Sequence, residues 1–140
     1  MKSQFYFNNV KVTLSERGRL KTFINSIFIY EGVKVKSLNI VFCSDEYLLD
    51  INERFLNHNY YTDIITFNLA IVNQPVEGDI YISIDRVKEN AYLIGDSLKK
   101  ELHRVVFHGV LHLCGYRDKS VKDRNHMRLL ENSYLIKYFF

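Results

Sequence analysis

Apolar and polar residues follow two different spacings along this chain, and these spacings predict a mixture of strands and helices. Short apolar or aromatic runs predict strands at residues 5–7, 38–43, 64–69 and 79–83. Between and after these runs, apolar residues recur every three or four positions, which is the spacing of amphipathic helices. The pattern predicts a single α+β domain over residues 1–140, with a small mixed sheet of about four strands and helices packed on it.

Serine and glycine residues mark the expected ends of the helices. A serine side chain can accept a hydrogen bond from the first helical turn, and a glycine after the last turn allows the backbone to reverse. The predicted N-caps are Ser15, Ser44, Ser83, Ser97 and Ser120. The predicted stops are Gly32, Gly95 and Gly115.

The helix that follows Ser97 is the most apolar of the five predicted helices. On a helical wheel, one sector of about 100° contains a core-facing stripe. Its members are Leu98, Leu102, Val105, Val106, Gly109 and Leu113. Phe107, Val110 and Leu111 make the remaining surface apolar as well. A helix that is apolar nearly all round is buried, so we expect this helix to lie at the centre of the fold.

The end of this helix carries a pattern that is typical of a metal site. His108 and His112 are four residues apart, so both imidazoles leave the same face one turn apart. Gly115 allows the chain to swing back, and Asp118 can then return as a third ligand. Three protein ligands and one open position describe a catalytic metal site better than a structural one.

Simpler interpretations of these residues remain open. The two histidines could be hydrogen-bonded core residues, and Asp118 could be a turn or N-cap acid before the last helix. The shared spacing, the terminating glycine and the returning acid favour metal binding. The other candidates are weaker. His103 and Cys114 lie far from the two histidines on the helical wheel, and His58 and His126 have no spacing argument.

Three segments of the chain resemble the YbeY family of bacterial metal-dependent endoribonucleases. Residues 108–116, His-Gly-Val-Leu-His-Leu-Cys-Gly-Tyr, resemble the family signature H-G-x-L-H-L-x-G-Y-D-H. Residues 62–67, Thr-Asp-Ile-Ile-Thr-Phe, resemble its T-D-V-L-S-F segment, and residues 78–83, Gly-Asp-Ile-Tyr-Ile-Ser, resemble its G-D-I-x-I-S strand. The three matches occur in the order that the family has.

The resemblance implies a function as well as a fold. It implies a metal-dependent endoribonuclease directed at single-stranded RNA, acting in rRNA maturation and ribosome quality control with the small ribosomal subunit as partner. His108, His112 and Asp118 would be its catalytic and metal-binding residues, with one divalent metal, zinc being the expected ion. Neither DNA nor a membrane is an expected partner.

Two positions depart from the family pattern. Asp118 stands where the family has a third histidine, and a carboxylate in that place would admit Mn²⁺ or Fe²⁺ more readily than three imidazoles do. Leu56 stands where many members have an arginine that is thought to contact substrate, so that role is not transferred to any residue here.

The charge distribution supports an anionic substrate. The formal net charge is +3, but residues 1–96 carry a balance of −2 and residues 97–140 carry +5. The positive excess therefore accompanies the metal motif and could contact phosphates. We expect Arg104, Arg117 and Lys119 to bind substrate. A solvated helix surface is the alternative interpretation.

The two matched strands also carry polar residues next to the predicted site, namely Thr62, Asp63, Thr66 and Asp79. They could line a cleft beside the metal, but strand-end caps and turn hydrogen bonds are the favoured interpretation. Glu101 could assist proton transfer, although a surface role or an ion pair with Arg104 is favoured.

Two other functions remain open. A metal-dependent amidase or peptidase could use the same ligands, but Gly109 replaces the glutamate of the H-E-x-x-H motif. A ribosome-assembly factor that binds RNA around a structural metal is also compatible with the sequence.

The nucleophile for RNA cleavage is left open. It could be a water activated by the metal or the 2′-OH of the RNA. The absence of a signal peptide and of a disulfide pattern predicts a cytoplasmic protein.

Overall fold

The computed structural model describes residues 1–140, which form four strands and five helices. The strands are β1 (Lys2–Phe7), β2 (Val35–Cys43), β3 (Ile64–Asn68) and β4 (Val76–Ser83). The helices are α1 (Arg17–Tyr30), α2 (Asp45–Leu56), α3 (Ile84–Ile94), α4 (Leu98–Leu113) and α5 (Val121–Phe139). All four predicted strands are present, and β1, β2 and β4 begin three residues earlier than the apolar runs indicated.

The strands form one mixed sheet in the order β1-β2-β4-β3. The β1–β2 and β2–β4 pairs are parallel, whereas β3 runs antiparallel to β4 at the edge. The predicted α+β class and the predicted mixed sheet of about four strands are therefore confirmed.

Alternate residues of the central strands face two different layers. Ile80 and Ile82 of β4 are fully buried in the larger core, which they share with residues of α1, α4 and α5. Tyr81, between them, packs with Cys43 and with residues of α2 in a smaller cluster on the opposite face. Each fully buried aliphatic side chain contributes about 1.5–3 kcal/mol, so the larger core dominates the stability.

Helix α4 lies at the centre of this larger core, as its apolar circumference predicted. A Cβ atom at Gly109 would lie 2.8 Å from the Cδ1 atom of Ile64 and 3.0 Å from that of Ile80. Only a glycine allows the helix to approach the sheet so closely. This contact fixes the face of α4 that points to the sheet. The adjacent face carries His108 and His112 and therefore borders a cleft.

Four of the five predicted serine caps are confirmed. The side chains of Ser44, Ser83, Ser97 and Ser120 each accept a hydrogen bond from a backbone N–H of the following turn. The prediction for Ser15 is wrong, because α1 begins after Glu16, which has a left-handed φ of 52° and no capping side-chain bond. Leu14 is buried in the core, and the chain turns at Glu16 before the helix starts at Arg17.

Among the five helices, none combines the length and the apolar character that are needed to cross a membrane.

Candidate metal centre

Two elements hold the three predicted ligands. Helix α4 presents His108 and His112 one turn apart on the same face. Gly115 then adopts a φ of 101°, which is accessible to glycine, and the chain reverses direction. This reversal returns Asp118 to the two histidines before Ser120 caps α5. The sequence prediction that these three side chains come together is therefore confirmed.

The three nearest atoms form a compact triangle. The Nε2 atoms of His108 and His112 are 2.9 Å apart. Oδ2 of Asp118 is 3.2 Å from each of them. A tetrahedral zinc ion with bonds of about 2.0–2.1 Å holds its ligand atoms about 3.3 Å apart. The triangle is close to that size, so a small expansion suffices for a divalent ion.

The other nitrogen of each imidazole determines which way the lone pairs point. Nδ1 of His108 donates to Oε2 of Glu131 at 2.6 Å, and Nδ1 of His112 donates to the backbone oxygen of Tyr116 at 2.9 Å. When Nδ1 carries the proton, the neutral ring presents a lone pair at Nε2. Both lone pairs therefore face the same point as the carboxylate of Asp118.

This arrangement fits a cation. Two imidazole lone pairs and a carboxylate oxygen repel one another at about 3 Å unless a positive charge lies among them. Burial alone would lower the pKa of His108, but Glu131, Asp63 and Asp118 outweigh it and raise the pKa of this ring. The surrounding carboxylates thus favour positive charge at this place, whether a proton or a metal ion supplies it.

The triangle lies in a cleft of about 570 Å³ between β3, α3, α4 and α5. The carboxylate of Asp118 is the most open of the three predicted ligands, with 37% of its side chain exposed. An ion held by these residues would keep a coordination position toward the cleft, as catalytic sites require. The polar residues that line the cleft are Thr62, Asp63, Thr66, Asn90, Glu101, Arg104, His108, His112, Asp118, Arg124, Arg128 and Glu131.

The three predicted substrate-binding residues lie in different surroundings. Arg104 lines the cleft but is only 8% exposed, and it pairs with Glu101 at 3.3 Å and with Glu131 at 3.5 Å. Arg117 and Lys119 are exposed on the loop beside Asp118 and are not among the residues that line the cleft.

The polar residues of the matched strands divide into two groups. Thr62, Asp63 and Thr66 line the cleft, although a purely structural role was the favoured interpretation. Burial raises the pKa of Asp63 while the hydrogen bond from Asn90 and the charge of His108 oppose that rise. Asp79 lies elsewhere and accepts a hydrogen bond from Asn39, so it has the structural role that was favoured.

The remaining candidates stay outside the ligand triangle. His103 is buried among aromatic rings, and His58 and His126 are exposed. Leu56, at the position where the family has its arginine, is exposed at the end of α2 and does not line the cleft. Of the two roles favoured for Glu101, the structure shows the ion pair with Arg104, and the residue is buried rather than on the surface.

Glu131, Asn90 and an apolar wall of Leu93 and Ile94 also line the cleft, and none of them was predicted. A signal for Glu131 was present, because it falls between Met127 and Tyr134 on the buried stripe of α5. A charged residue in an apolar stripe needs a partner, and this one has His108. Asn90, Leu93 and Ile94 belong to α3, whose approach to the cleft is a tertiary feature without a local pattern.

The fold and the site define the class of protein: a single-domain α+β protein with a two-histidine, one-carboxylate site that can hold a metal ion in an open cleft. The family described as Endoribonuclease YbeY matches residues 6–138. This chain belongs to that family, and the predicted resemblance is confirmed.

Individual relatives agree with this assignment. The endoribonuclease YbeY of Cytophaga hutchinsonii is 49% identical over 131 residues, which cover 94% of this chain and 92% of that protein. The endoribonuclease YbeY of Porphyromonas gingivalis is 42% identical over 135 residues, covering 96% and 89%. A Thermotoga maritima protein with a known solution structure has a TM-score of 0.63 at 25% identity, covering 98% of this chain and 89% of that one.

Proposed function

We propose that this protein is a metal-dependent endoribonuclease that cleaves single-stranded RNA during rRNA maturation and ribosome quality control. The observation that carries the proposal is the convergence of His108, His112 and Asp118 on the floor of a cleft with arginines in its wall. The endoribonuclease names of its relatives support the same activity. When bound, a divalent ion at this place supplies Lewis-acid polarisation of a phosphoryl oxygen.

The two walls of the cleft suit the two parts of a nucleotide. Arg124 and Arg128 of α5 line one side and can bind phosphates. Leu93 and Ile94 of α3 are more than half exposed on another side and can contact base faces. A cleft of this size accepts a short unpaired stretch, whereas a duplex keeps its bases stacked inside the helix.

The predicted substrate-binding residues receive different roles in this proposal. Arg117 and Lys119, which flank Asp118, contact phosphates farther along the strand, outside the cleft. The guanidinium of Arg104 reaches the cleft, and its pairing with Glu101 and Glu131 limits it to a shared contact with a phosphate. Arg124 and Arg128 are added to this set because of their place in the cleft wall.

Zinc is the proposed ion, because two imidazoles and one carboxylate are a common zinc donor set. The proposed partner is the small ribosomal subunit and the proposed compartment is the cytoplasm. The family implies the first, and the absence of a disulfide pattern among the two cysteines supports the second.

A peptidase or amidase function is not favoured. A zinc protease of the H-E-x-x-H type needs a glutamate directly after its first histidine. That position is Gly109, where even a Cβ atom would lie 2.8 Å from Ile64, on the side of the helix that faces the sheet. A glutamate could neither fit there nor reach the cleft. The names of the relatives favour a nuclease over a non-catalytic assembly factor.

The proposal is tested by two measurements on the same preparations. Elemental analysis of protein purified without added metal measures the bound ion, and gel assays measure the cleavage of single-stranded and duplex RNA of one sequence. We expect one divalent ion per chain and cleavage of the single strand only. His112→Ala removes one of three ligands, so both the ion and the cleavage are expected to be lost.

His58→Ala is the matched control, because this histidine is exposed in a loop outside the cleft. It should keep wild-type metal content and wild-type cleavage. A wild-type protein that binds the ion and cleaves no single-stranded RNA would overturn the nuclease function and support the assembly factor.

A further inference from the structure

We propose that Glu131 of α5 is a positioning residue for the metal site, whose buried carboxylate orients His108 and is itself held by Arg104 and Arg128. The inference rests on the metal-binding part of the proposed function and does not require RNA cleavage.

The contact between Glu131 and His108 is short and almost free of solvent. Oε2 of Glu131 lies 2.6 Å from Nδ1 of His108, and the glutamate is only 4% exposed. The two residues are 23 positions apart and belong to different helices, so tertiary packing creates the contact. A charge-assisted hydrogen bond of this length is among the stronger ones that proteins form.

This hydrogen bond selects one tautomer of His108. The carboxylate accepts the proton of Nδ1, and the lone pair is therefore at Nε2, which faces His112 and Asp118. The bond also prevents rotation of the ring about its Cβ–Cγ bond. Carboxylates placed in this way behind a ligating histidine make the ring a more basic ligand and strengthen the binding of the metal.

Two arginines hold the other oxygen of the same carboxylate. Oε1 of Glu131 is 3.5 Å from Nη1 of Arg104 and 3.5 Å from Nη1 of Arg128. Arg104 also donates to the side-chain oxygen of Asn132 at 2.6 Å, which fixes its guanidinium against α5. A buried carboxylate is costly unless it is paired, and these contacts provide the pairing.

The network connects the cleft wall to the metal site. Arg104 and Arg128 line the cleft where the phosphates of a bound strand would lie, and both contact the carboxylate that orients His108. Glu101 also pairs with Arg104 but has neither a hydrogen bond nor an ion pair with His108, His112 or Asp118. The role of Glu131 can therefore be separated from that of the network around it.

The test compares Glu131→Gln with Glu101→Gln, which removes a carboxylate of the same network. Affinity for zinc is measured by competition with a chelator of known affinity, on protein whose far-UV circular dichroism is that of the wild type. Loss of an outer partner of this kind typically weakens metal binding about 10- to 100-fold. We expect this loss in Glu131→Gln and a change of less than about threefold in Glu101→Gln.

A spectroscopic measurement keeps the test independent of folding of the variant. In zinc-loaded wild-type protein labelled with ¹⁵N-histidine, we expect His108 to carry its proton on Nδ1, with a strongly downfield proton resonance. A proton on Nε2 would overturn the proposal without any variant. Wild-type zinc affinity in Glu131→Gln, or an equal loss in both variants, would overturn it as well. Loss of RNA cleavage plays no part in these readouts, so failure of the nuclease function is a distinct outcome.

Discussion

Two histidines of α4 that are only five residues apart have opposite surroundings. His103 lies on the side of the helix that packs against aromatic rings, with Tyr138 stacked at 5.2 Å and Phe139 edge-on at 5.0 Å. His108 lies on the side that borders the cleft, where its ring nitrogens face Glu131, His112 and Asp118. We call these the aromatic face and the cleft face of α4.

The two faces shift the pKa of histidine in opposite directions. On the aromatic face, burial lowers the pKa of His103, and the nearby charges of Lys99 and Arg19 lower it further. A hydrogen bond to the backbone oxygen of Lys99 acts in the opposite direction but does not outweigh them. On the cleft face, burial also disfavours the charged ring, but carboxylates outweigh it and the pKa of His108 is raised. Both residues are histidines of the same helix, so the opposite shifts of their pKa values come from their neighbours.

Stability and the proposed function belong to different sides of α4. The aromatic face contributes buried apolar contacts, which are favourable without a ligand. The cleft face gathers buried carboxylates, and burial raises the pKa of both Asp63 and Glu101 there. A bound cation would offset this charge, so we infer that metal binding stabilises mainly the cleft side of the fold.

The largest expected effect is the loss of stability in Phe107→Ala. Phe107 is fully buried and its ring is 5.3 Å from that of Phe23 and 5.8 Å from that of Tyr138. Removing a buried phenylalanine costs about 3–5 kcal/mol through lost contacts and a cavity. Urea unfolding in the presence of a chelator measures this change in the free energy of unfolding.

Phe140→Ala is the matched control, because this phenylalanine is fully exposed and should change the free energy of unfolding by less than about 0.5 kcal/mol. The folded fraction of Phe107→Ala should bind zinc within threefold of the wild type. A tenfold weaker affinity would contradict the separation of the two faces.

The next effect belongs to the cleft face and concerns Asp118. If Asp118 is the third ligand, as proposed, Asp118→Ala removes a direct contact with the ion. Zinc affinity should then fall more than about 100-fold, which is the upper end of the loss expected for an outer partner. Asp118→His restores the third imidazole of the family pattern and should keep zinc affinity within tenfold of the wild type. Because carboxylates suit Mn²⁺ better than imidazoles do, the ratio of zinc to manganese affinity should rise in Asp118→His.

Competition with a chelator measures both Asp118 variants, and unfolding without metal is the control. Asp118 is partly exposed, so we expect neither variant to approach the stability loss of Phe107→Ala. Metal affinity within tenfold of wild type in Asp118→Ala would show that the carboxylate is not a ligand.

The sequence predicted the parts of the cleft face that are local along the chain. His108, His112 and Asp118 lie within eleven residues, and helix geometry with one glycine turn suffices to bring them together. Glu131, Asn90 and Arg128 reach the same cleft from α3 and α5, and no short spacing encodes that approach. The side of α4 that meets the sheet was visible in the sequence through its apolar stripe and Gly109.

The error at Ser15 has a similar origin. Serine before an amphipathic segment is a good local signal for an N-cap, and it was correct at Ser44, Ser83, Ser97 and Ser120. After Ser15, Glu16 has a left-handed backbone and is the N-cap, one residue later than predicted, and the preceding Leu14 is buried in the core. Burial of a neighbour is a tertiary effect, so the local pattern could not reveal it.

The smallest expected effect returns to His103 and the pH dependence of stability. Nδ1 of His103 donates to the backbone oxygen of Lys99 at 2.7 Å, and its buried Nε2 has no partner, so burial favours the neutral ring and lowers the pKa of His103. The unfolded chain takes up a proton near its ordinary pKa of about 6.5, and the folded chain does so only at lower pH. The contribution of the neutral ring is therefore complete above pH 6.5 and is lost as the pH falls toward the folded value.

His103→Phe removes this titration and keeps an aromatic ring in the cluster. One proton changes the free energy of unfolding by at most about 1.4 kcal/mol per pH unit. Below pH 6.5 in a chelator, we expect the stability of His103→Phe to decline less steeply than that of the wild type, by up to that amount. Other groups, including His108, titrate in both proteins, so the difference between the two slopes isolates His103. Parallel slopes would mean that His103 has the same pKa in the folded and unfolded states. The proposed lowering of its pKa by the aromatic face of α4 would then be wrong.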